Sequence, residues 1–367
     1  GANTDLTRVT LFTNRVMTFM MPMMMLIMNC VALLIVWVGA DGVNNGQLQV
    51  GDMMAFISYS MQIIISFLML TMISIILPRA AVSANRIDEV LTTEPVIKDK
   101  ENAIALNSNG KGVVRFENVS FRYPKAEEDV LYGINFTANS GETTAIIGST
   151  GSGKSTLVQL LPRFFDVTDG RITIDGTDIR DVSQHDLRDE IGYVPQKGIL
   201  FSGDIASNLR FGNENATDEE IKTAAEIAQA SDFIEEKEEK YESSISQGGS
   251  NVSGGQRQRL AIARAIAKNP KIYVFDDSFS ALDYKTDVAL RKELKSKIAG
   301  ATVIIVAQRI NTIKNAEKII VLDDGNMVGM GTHQELLQNN EVYRQIAMSQ
   351  LSEEELGIDV KGAENNV

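Results

Sequence analysis

Two long apolar stretches lie within the first 80 residues of the chain. Residues 16–40 and residues 53–78 contain no Asp, Glu, Lys or Arg, and each exceeds the roughly 20 residues that a helix needs to cross a hydrocarbon core of about 30 Å. A pair of buried core helices is the alternative, but two such stretches joined by a short polar loop are difficult to bury in a water-soluble protein. The pattern therefore predicts two membrane-spanning helices.

The charges beside these stretches predict their orientation. Arg8 and Arg15 precede the first stretch and Arg79 and Arg86 follow the second, whereas residues 41–52 contain two acids and no Lys or Arg. Basic residues stay on the cytoplasmic side of a membrane. We therefore expect a multi-pass protein of the cell membrane, embedded in the lipid bilayer, with both ends of this chain in the cytoplasm.

The rest of the chain is polar and acidic. The net charge is −13, with acidic runs at residues 235–239 and 353–355. Nucleic acid is therefore not expected as a partner, because a phosphate backbone binds to basic patches. The single cysteine, Cys30, allows no internal disulfide and is consistent with a reducing cytoplasm.

Composition also divides the chain into segments. Because it begins with Gly rather than Met, we expect it to be the C-terminal part of a longer protein. The predicted segments are a membrane segment over residues 1–91, a linker over 92–112, a globular domain over 113–350 and a weakly apolar acidic tail over 351–367.

A glycine-rich loop is the strongest local motif. Residues 148–155 read Gly-Ser-Thr-Gly-Ser-Gly-Lys-Ser, which matches G-x-x-x-x-G-K-[ST], between a predicted strand at 144–147 and a predicted helix at 156–161. Such a loop directs its N–H groups and a helix N-terminus at phosphates, with Lys154 on the β- and γ-phosphates and Ser155 on Mg²⁺. The residues expected to bind ATP here are Gly148, Ser149, Thr150, Gly151, Ser152, Gly153, Lys154, Ser155 and Thr156.

A second acidic position follows further along the chain. Residues 272–275 are Ile-Tyr-Val-Phe, which predicts a strand buried on both faces, and Asp276 stands at its carboxyl end. We expect Asp276 to hold Mg²⁺ through water, at the same ion as Ser155.

Further motifs resemble those of ATP-binding-cassette (ABC) proteins. Residues 253–256, Ser-Gly-Gly-Gln, are similar to the family's signature and are followed by Arg-Gln-Arg-Leu-Ala-Ile-Ala-Arg. Tyr123 resembles the aromatic residue that stacks on adenine, and Gln196 resembles the glutamine that reaches Mg²⁺. Ser280, Ala281, Leu282 and Asp283 resemble the loop that crosses the dimer interface.

The resemblance covers nearly the whole chain and implies both fold and activity. It implies the last two helices of a type IV, multidrug-exporter-like half-transporter, followed by an α/β P-loop ATPase with a mainly parallel sheet and a helical signature subdomain. The implied activity is export of a small hydrophobic or amphipathic substrate, driven by hydrolysis of Mg·ATP. Two half-transporters are implied to enclose two ATP molecules, with Ser253, Gly254, Gly255 and Gln256 of each facing the ATP of the other.

Three positions depart from the pattern of hydrolysing members. Asp277 stands where the family has a catalytic glutamate, and Gln308 stands where it has a histidine; Gln247 replaces an acid found in many exporters. A shorter carboxylate and an uncharged amide predict a degenerate, weakly hydrolytic site. The preferred interpretation is therefore one half of a heterodimer whose partner carries the usual glutamate and histidine; a slowly hydrolysing homodimer and a regulatory ATP-binding subunit are the alternatives.

Overall fold

The computed structural model describes residues 2–107 and 109–351. The chain forms two compact units, Gly1–Pro95 and Val96–Val367. Apart from Leu351, the predicted acidic tail lies outside the described residues.

The first unit consists of two long helices, α1 (Ala2–Asn44) and α2 (Val50–Leu91). Both are long and apolar enough to cross a membrane, with mean hydropathies of 2.3 and 2.2 over their most apolar windows, in which no residue is buried within the chain. Apolar side chains on every side suit a helix that meets lipid rather than water. Asp52 accepts a hydrogen bond from the Gln49 N–H and so helps to start α2 after the connecting loop.

A thiol-labelling experiment tests the orientation of these helices. In a Cys30→Ser background, an impermeant maleimide added to intact cells is expected to label Asn45→Cys, because Asn45 follows α1 in an exposed turn. Asn109→Cys, at a position that is also exposed, should react only after the cells are permeabilised. The reverse pattern would overturn the orientation assigned from the flanking arginines.

The second unit is built on a ten-stranded mixed sheet with the order β5-β4-β1-β2-β12-β11-β3-β10-β9-β6, and β7 pairs with β8 separately. The strands are β1 (Val114–Phe121), β2 (Leu131–Ala138), β3 (Thr143–Gly148), β4 (Asp169–Ile174), β5 (Thr177–Asp178), β6 (Ile191–Val194), β7 (Gly203–Asp204), β8 (Ser244–Ile245), β9 (Ile272–Asp276), β10 (Thr302–Val306), β11 (Lys318–Asp323) and β12 (Asn326–Gly331). β11, β3, β10, β9 and β6 are parallel, while β5, β4, β1 and β2 are antiparallel.

Helices cover this sheet and form a separate helical region. They are α3 (Lys154–Leu160), α4 (Gln184–Asp189), α5 (Ile205–Arg210), α6 (Asp218–Ile227), α7 (Ser231–Glu235), α8 (Gly254–Ala267), α9 (Tyr284–Lys297), α10 (Ile310–Ile313), α11 (His333–Asn339) and α12 (Glu341–Met348), with short 3₁₀ helices at Ile179–Asp181, Lys240–Glu242 and Gln247–Gly249. α8 packs on α5 and α6. The predicted fold class is confirmed, with an antiparallel group of strands added to the parallel part.

The centre of the parallel part explains where a site can form. Every residue of β9 and β10 is buried, because these strands are continuous apolar runs covered on both faces. β10 pairs in parallel with β3 on one side and with β9 on the other. The loops that follow β3, β9 and β10 therefore meet at one edge of the sheet, where ligands bind in open α/β folds.

Candidate nucleotide-binding site

The glycine-rich loop connects β3 to α3 in a conformation that requires glycine. Gly151 and Gly153 have φ values of 87° and 91°, a region that residues with a Cβ rarely adopt. A Cβ on Gly153 would lie 2.7 Å from Leu131 Cδ2. Because Gly153 serves as the N-cap, α3 begins at Lys154, two residues before the helix that the sequence predicts.

Lys154 lies against the carbonyl groups of its own loop. Its Nζ donates to the Gly148 carbonyl at 2.9 Å and to the Ser149 carbonyl at 2.6 Å. Burial lowers the pKa of Lys154, and the charges of Asp277 and Asp276 oppose that shift. The ammonium is buried, and its hydrogen-bond partners in the described part of the chain are neutral. Such a group favours an anion nearby, and a phosphate would supply one.

Ser155 and Asp276, the two predicted metal-binding positions, are in contact. The Ser155 hydroxyl donates to Asp276 Oδ1 at 2.8 Å, which joins the start of α3 to the end of β9. Asp276 is only 3% exposed, and burial raises the pKa of its carboxyl against the opposing effects of Ser155, Tyr193 and Lys154. Taking a cation would offset the cost of this buried charge.

These residues fit Mg²⁺ rather than a transition metal. Hydroxyl and carboxylate oxygens are the ligands that Mg²⁺ prefers, and the ion commonly keeps several waters, so one or two protein carboxylates suffice. Among the described residues, no group of three or more His, Cys, Asp or Glu side chains could hold a metal by itself. Ser155, Asp276 and the amide oxygen of Gln196 are the groups that could hold it, provided that phosphate oxygens complete the shell.

Tyr193 is a site residue that the sequence did not reveal. Its hydroxyl donates to Asp276 Oδ2 at 3.1 Å, and burial, followed by the Asp276 charge, raises its pKa, so the phenol remains a donor. β6 pairs with β9 so that Tyr193 lies opposite Val274. The available signal was its position three residues before Gln196 on a strand ending at the same edge.

Asp277 is held from two sides at the end of β9. Its Oδ2 accepts hydrogen bonds from Gln196 Nε2 at 3.0 Å and from Gln308 Nε2 at 2.8 Å. The residue is 6% exposed and has a left-handed φ of 48°. Burial raises the pKa of its carboxyl, while the hydrogen bond from Gln196 opposes that shift. The three positions that the sequence assigned to different motifs thus form one hydrogen-bonded group.

Tyr123 lies beside the first turn of α3. Its hydroxyl is 3.0 Å from Thr156 Oγ1, and its ring makes edge-to-face contacts with Phe121 and Phe165. These contacts fix an aromatic ring next to the phosphate loop, as an adenine-stacking residue requires.

The signature-like residues form a second group. Ser253 is the N-cap of α8: its hydroxyl accepts from the Gln256 N–H at 3.2 Å, and its own N–H donates to Gln256 Oε1 at 3.0 Å. A Cβ on Gly255 would lie 3.5 Å from the Ala281 carbonyl, so the signature adjoins residues 280–283. Among the hydrogen bonds of the described residues, none joins residues 253–256 to residues 148–156.

The loop at residues 280–283 connects the two groups. The Ser280 hydroxyl donates to the Asp277 carbonyl at 2.8 Å, and Leu282 is buried, whereas Ala281 is exposed. Asp283 caps α9 by accepting from the Thr286 N–H at 3.0 Å. This loop is therefore anchored at both ends, with Ala281 exposed between them.

Comparison with known families agrees with this arrangement. Residues 131–280 match the ABC transporter ATPase family, and residues 1–67 match the ABC transporter transmembrane region. The chain carries an ABC transporter ATPase domain behind an ABC transporter membrane region. It is therefore a membrane-spanning chain with a cytoplasmic nucleotide-binding domain, as predicted.

Individual relatives extend the similarity over most of this ABC chain. It is 44% identical over 352 residues to an uncharacterised ABC transporter ATP-binding protein of Mycobacterium tuberculosis, covering 95% of this chain and 60% of the relative. It is 37% identical over 336 residues to an ATP-dependent lipid A-core flippase of Desulfotalea psychrophila, covering 92% of this chain and 58% of the flippase. The chain thus spans about 60% of the length of these relatives.

A solved structure has the same fold. The structure of a bacterial Atm1-family ABC exporter with ATP bound aligns with a TM-score of 0.77 at 34% identity, over 90% of this chain and 58% of that exporter. The exporter fold expected from the sequence is confirmed.

Proposed function

We propose that this chain is part of a half-transporter that uses Mg·ATP to export a hydrophobic or amphipathic substrate across the cell membrane. The observation that carries the proposal is the Ser155–Asp276 hydrogen bond of 2.8 Å next to Lys154, since it brings together residues from two distant parts of the sequence that we propose bind phosphate and Mg²⁺. The relatives include a putative multidrug export protein of Bacillus subtilis and the lipid A-core flippase, which supports an apolar or amphipathic cargo.

Each residue has a part in binding ATP in this proposal. Tyr123 stacks on adenine, the N–H groups of residues 148–156 surround the phosphates, and Lys154 leaves its loop carbonyls to bind the β- and γ-phosphates. Ser155, Asp276 and Gln196 hold Mg²⁺. The ion would neutralise charge that develops on the phosphates during transfer.

The chain's own site is weakly hydrolytic in this proposal. Asp277 is one methylene shorter than glutamate, and its carboxylate is already occupied by Gln196 and Gln308. Gln308 can donate a hydrogen bond but lacks the positive charge of an imidazolium. A misplacement of about 1 Å can cost about 10²-fold in rate.

The combination of a weak site of its own with an intact signature surface supports a heterodimer. Ser253 and Gly254 are exposed at the N-terminus of α8, where N–H groups and the helix dipole favour an anion. This intact surface would cover ATP held by a partner half-transporter that has the usual glutamate and histidine. In the homodimer alternative, the signature covers a second copy of the same weak site.

A gain-of-function experiment tests the weak site. Asp277→Glu combined with Gln308→His is expected to raise the ATPase rate of the purified full-length protein without partner by about 10²-fold, because water-positioning and general-base groups contribute about 10²–10⁴-fold. Lys154→Ala in the same background should remove the gain. Rapid hydrolysis by the unsubstituted protein alone, with no other half-transporter detected by mass spectrometry of the purified complex, would favour the homodimer.

A further inference from the structure

A single carboxylate oxygen organises two glutamine side chains at the edge of the sheet. Gln196 follows β6 and Gln308 follows β10; both are exposed, yet both turn their amide nitrogens to Oδ2 of the buried Asp277. The strands β6, β9 and β10 are parallel neighbours. Asp277 is therefore the point where three loops are tied together.

The chemistry of the acceptor fixes how each amide is oriented. An ionised carboxylate can only accept hydrogen bonds, so the amide group that faces it must be the NH₂ group. The amide oxygen of Gln196 therefore points away from Asp277 and is not used by it. This oxygen is a hard ligand of the kind that Mg²⁺ takes. A hydrogen bond to a charged acceptor is roughly twice as strong as one between neutral groups.

The backbone around Asp277 is suited to hold this group rigidly. Its N–H donates to the Val306 carbonyl at 3.0 Å, and its carbonyl accepts from the Ser280 hydroxyl at 2.8 Å. Its φ of 48° lies in a region where Asp is tolerated better than most residues. Aspartate also has one rotatable bond fewer than glutamate, so less side-chain entropy is lost when it is fixed.

We propose that Asp277 is a positioning residue that orients Gln196 as a ligand of the nucleotide's Mg²⁺. It acts through its hydrogen bond to Gln196 Nε2, and Gln308 shares the same oxygen. The role ascribed here to the carboxylate is therefore to strengthen magnesium-dependent ATP binding, not to activate water. This inference rests on the Mg·ATP site of the proposed function.

The test measures how much Mg²⁺ strengthens ATP binding to this chain. In the assembled full-length transporter, photolabelling by 8-azido-ATP, read on this chain's band, gives apparent affinities in Mg²⁺ and in EDTA. Asp277→Ala is expected to lower the Mg²⁺ enhancement about 10-fold, the scale of effect seen when a ligand loses its orienting partner, and to leave affinity in EDTA unchanged. Retained EDTA affinity also demonstrates that the variant is folded.

A double-mutant cycle separates positioning from general weakening. Gln196→Ala is expected to lose the same enhancement, and Asp277→Ala in the Gln196→Ala background should cause no further loss, because the two residues act as one unit. Asp277→Asn, which keeps an acceptor oxygen but no charge, should lose only about threefold, and this loss should also vanish in the Gln196→Ala background. This conservative variant keeps the test decisive if Asp277→Ala does not fold.

Other outcomes overturn the inference. If Asp277→Ala and Asp277→Asn leave the Mg²⁺ enhancement unchanged, or if their losses persist when Gln196 is absent, Asp277 does not act through Gln196. The Lys154→Ala variant separates this result from failure of the proposed function. Unchanged ATP affinity in Lys154→Ala would refute the nucleotide site itself, whereas a loss there without any effect at Asp277 refutes only the positioning role.

Discussion

The Gly254→Glu substitution is expected to lower ATP turnover of the assembled transporter about 10²-fold while leaving this chain folded. A Cβ on Gly254 would meet nothing within 4 Å, and a carboxylate in the first turn of α8 suits the helix dipole. In the proposed dimer, however, this position faces the γ-phosphate of the partner's ATP, which a glutamate would repel. Losing one donor that stabilises charge in a transition state costs about 10²–10³-fold, so ATPase rates at saturating ATP provide the measurement.

Two control variants show whether the loss of turnover is specific to the signature position. Gln334→Glu adds the same charge to the exposed first turn of α11 and should leave turnover unchanged. Lys154→Ala damages this chain's own pocket, so it should weaken ATP binding there and reduce transport only partially. If Lys154→Ala reduces turnover more than Gly254→Glu does, the chain's own site carries the hydrolysis and the degenerate-site proposal is wrong.

Local sequence was sufficient to locate the parts of the nucleotide site that are contiguous in the chain. The match over residues 148–155 specifies a strand, a glycine-rich loop and a helix, because Gly151 and Gly153 adopt positive φ values that few other residues tolerate. The run at residues 272–275 is apolar at every position, which indicates a central parallel strand. The position of Asp276 at the carboxyl end of that strand follows from this run. Each motif assigned one residue to Mg²⁺, and these two residues, Ser155 and Asp276, are in contact.

The grouping around Asp277 depends on strand order, which local sequence does not determine. Gln196, Asp277 and Gln308 belong to three motifs that are far apart in the chain, and they meet because β6 and β10 both pair with β9. Tyr193 was missed for the same reason: its partner is set by the register of β6 on β9, not by its neighbours in sequence. Local sequence patterns do not indicate which distant strands pair with each other.

The uncharged apolar stretches located the membrane helices but not their ends. α1 and α2 contain 43 and 42 residues, whereas the uncharged stretches are much shorter, because hydropathy marks only the part of a helix suited to lipid. The helices continue into the flanking polar residues. There the end of a helix is determined by hydrogen bonding of the backbone and not by whether the side chains prefer lipid or water. α2 thus continues beyond Arg79 and Arg86 to Leu91.

The Gly148→Ala substitution is expected to destabilise the ATPase domain by about 3 kcal/mol, at the upper end of the usual cost of overpacking. A Cβ at this position would lie 2.1 Å from the carbonyl oxygen of Leu322 on the neighbouring strand β11. That atom belongs to the backbone of a central strand, so it cannot move aside as a flexible side chain would. The measurement is thermal unfolding of the full-length protein without nucleotide, in which proteolytic cleavage of the ATPase domain reports its unfolding.

Two other glycines separate this clash from the cost of backbone strain. Gly151 has a φ of 87°, but an added methyl group there would meet nothing within 4 Å, so Gly151→Ala should cost only the roughly 1–2 kcal/mol of a left-handed residue with a Cβ. Gly254 has open space and no left-handed φ, so Gly254→Ala should be neutral or slightly stabilising in a helix. Gly254→Ala is therefore expected to be the most stable of the three variants, Gly151→Ala the next and Gly148→Ala the least stable. If Gly148→Ala unfolds at the same temperature as Gly254→Ala, β3 and β11 do not approach as closely as described, and the loop that begins at Gly148 is held by something other than this strand pair.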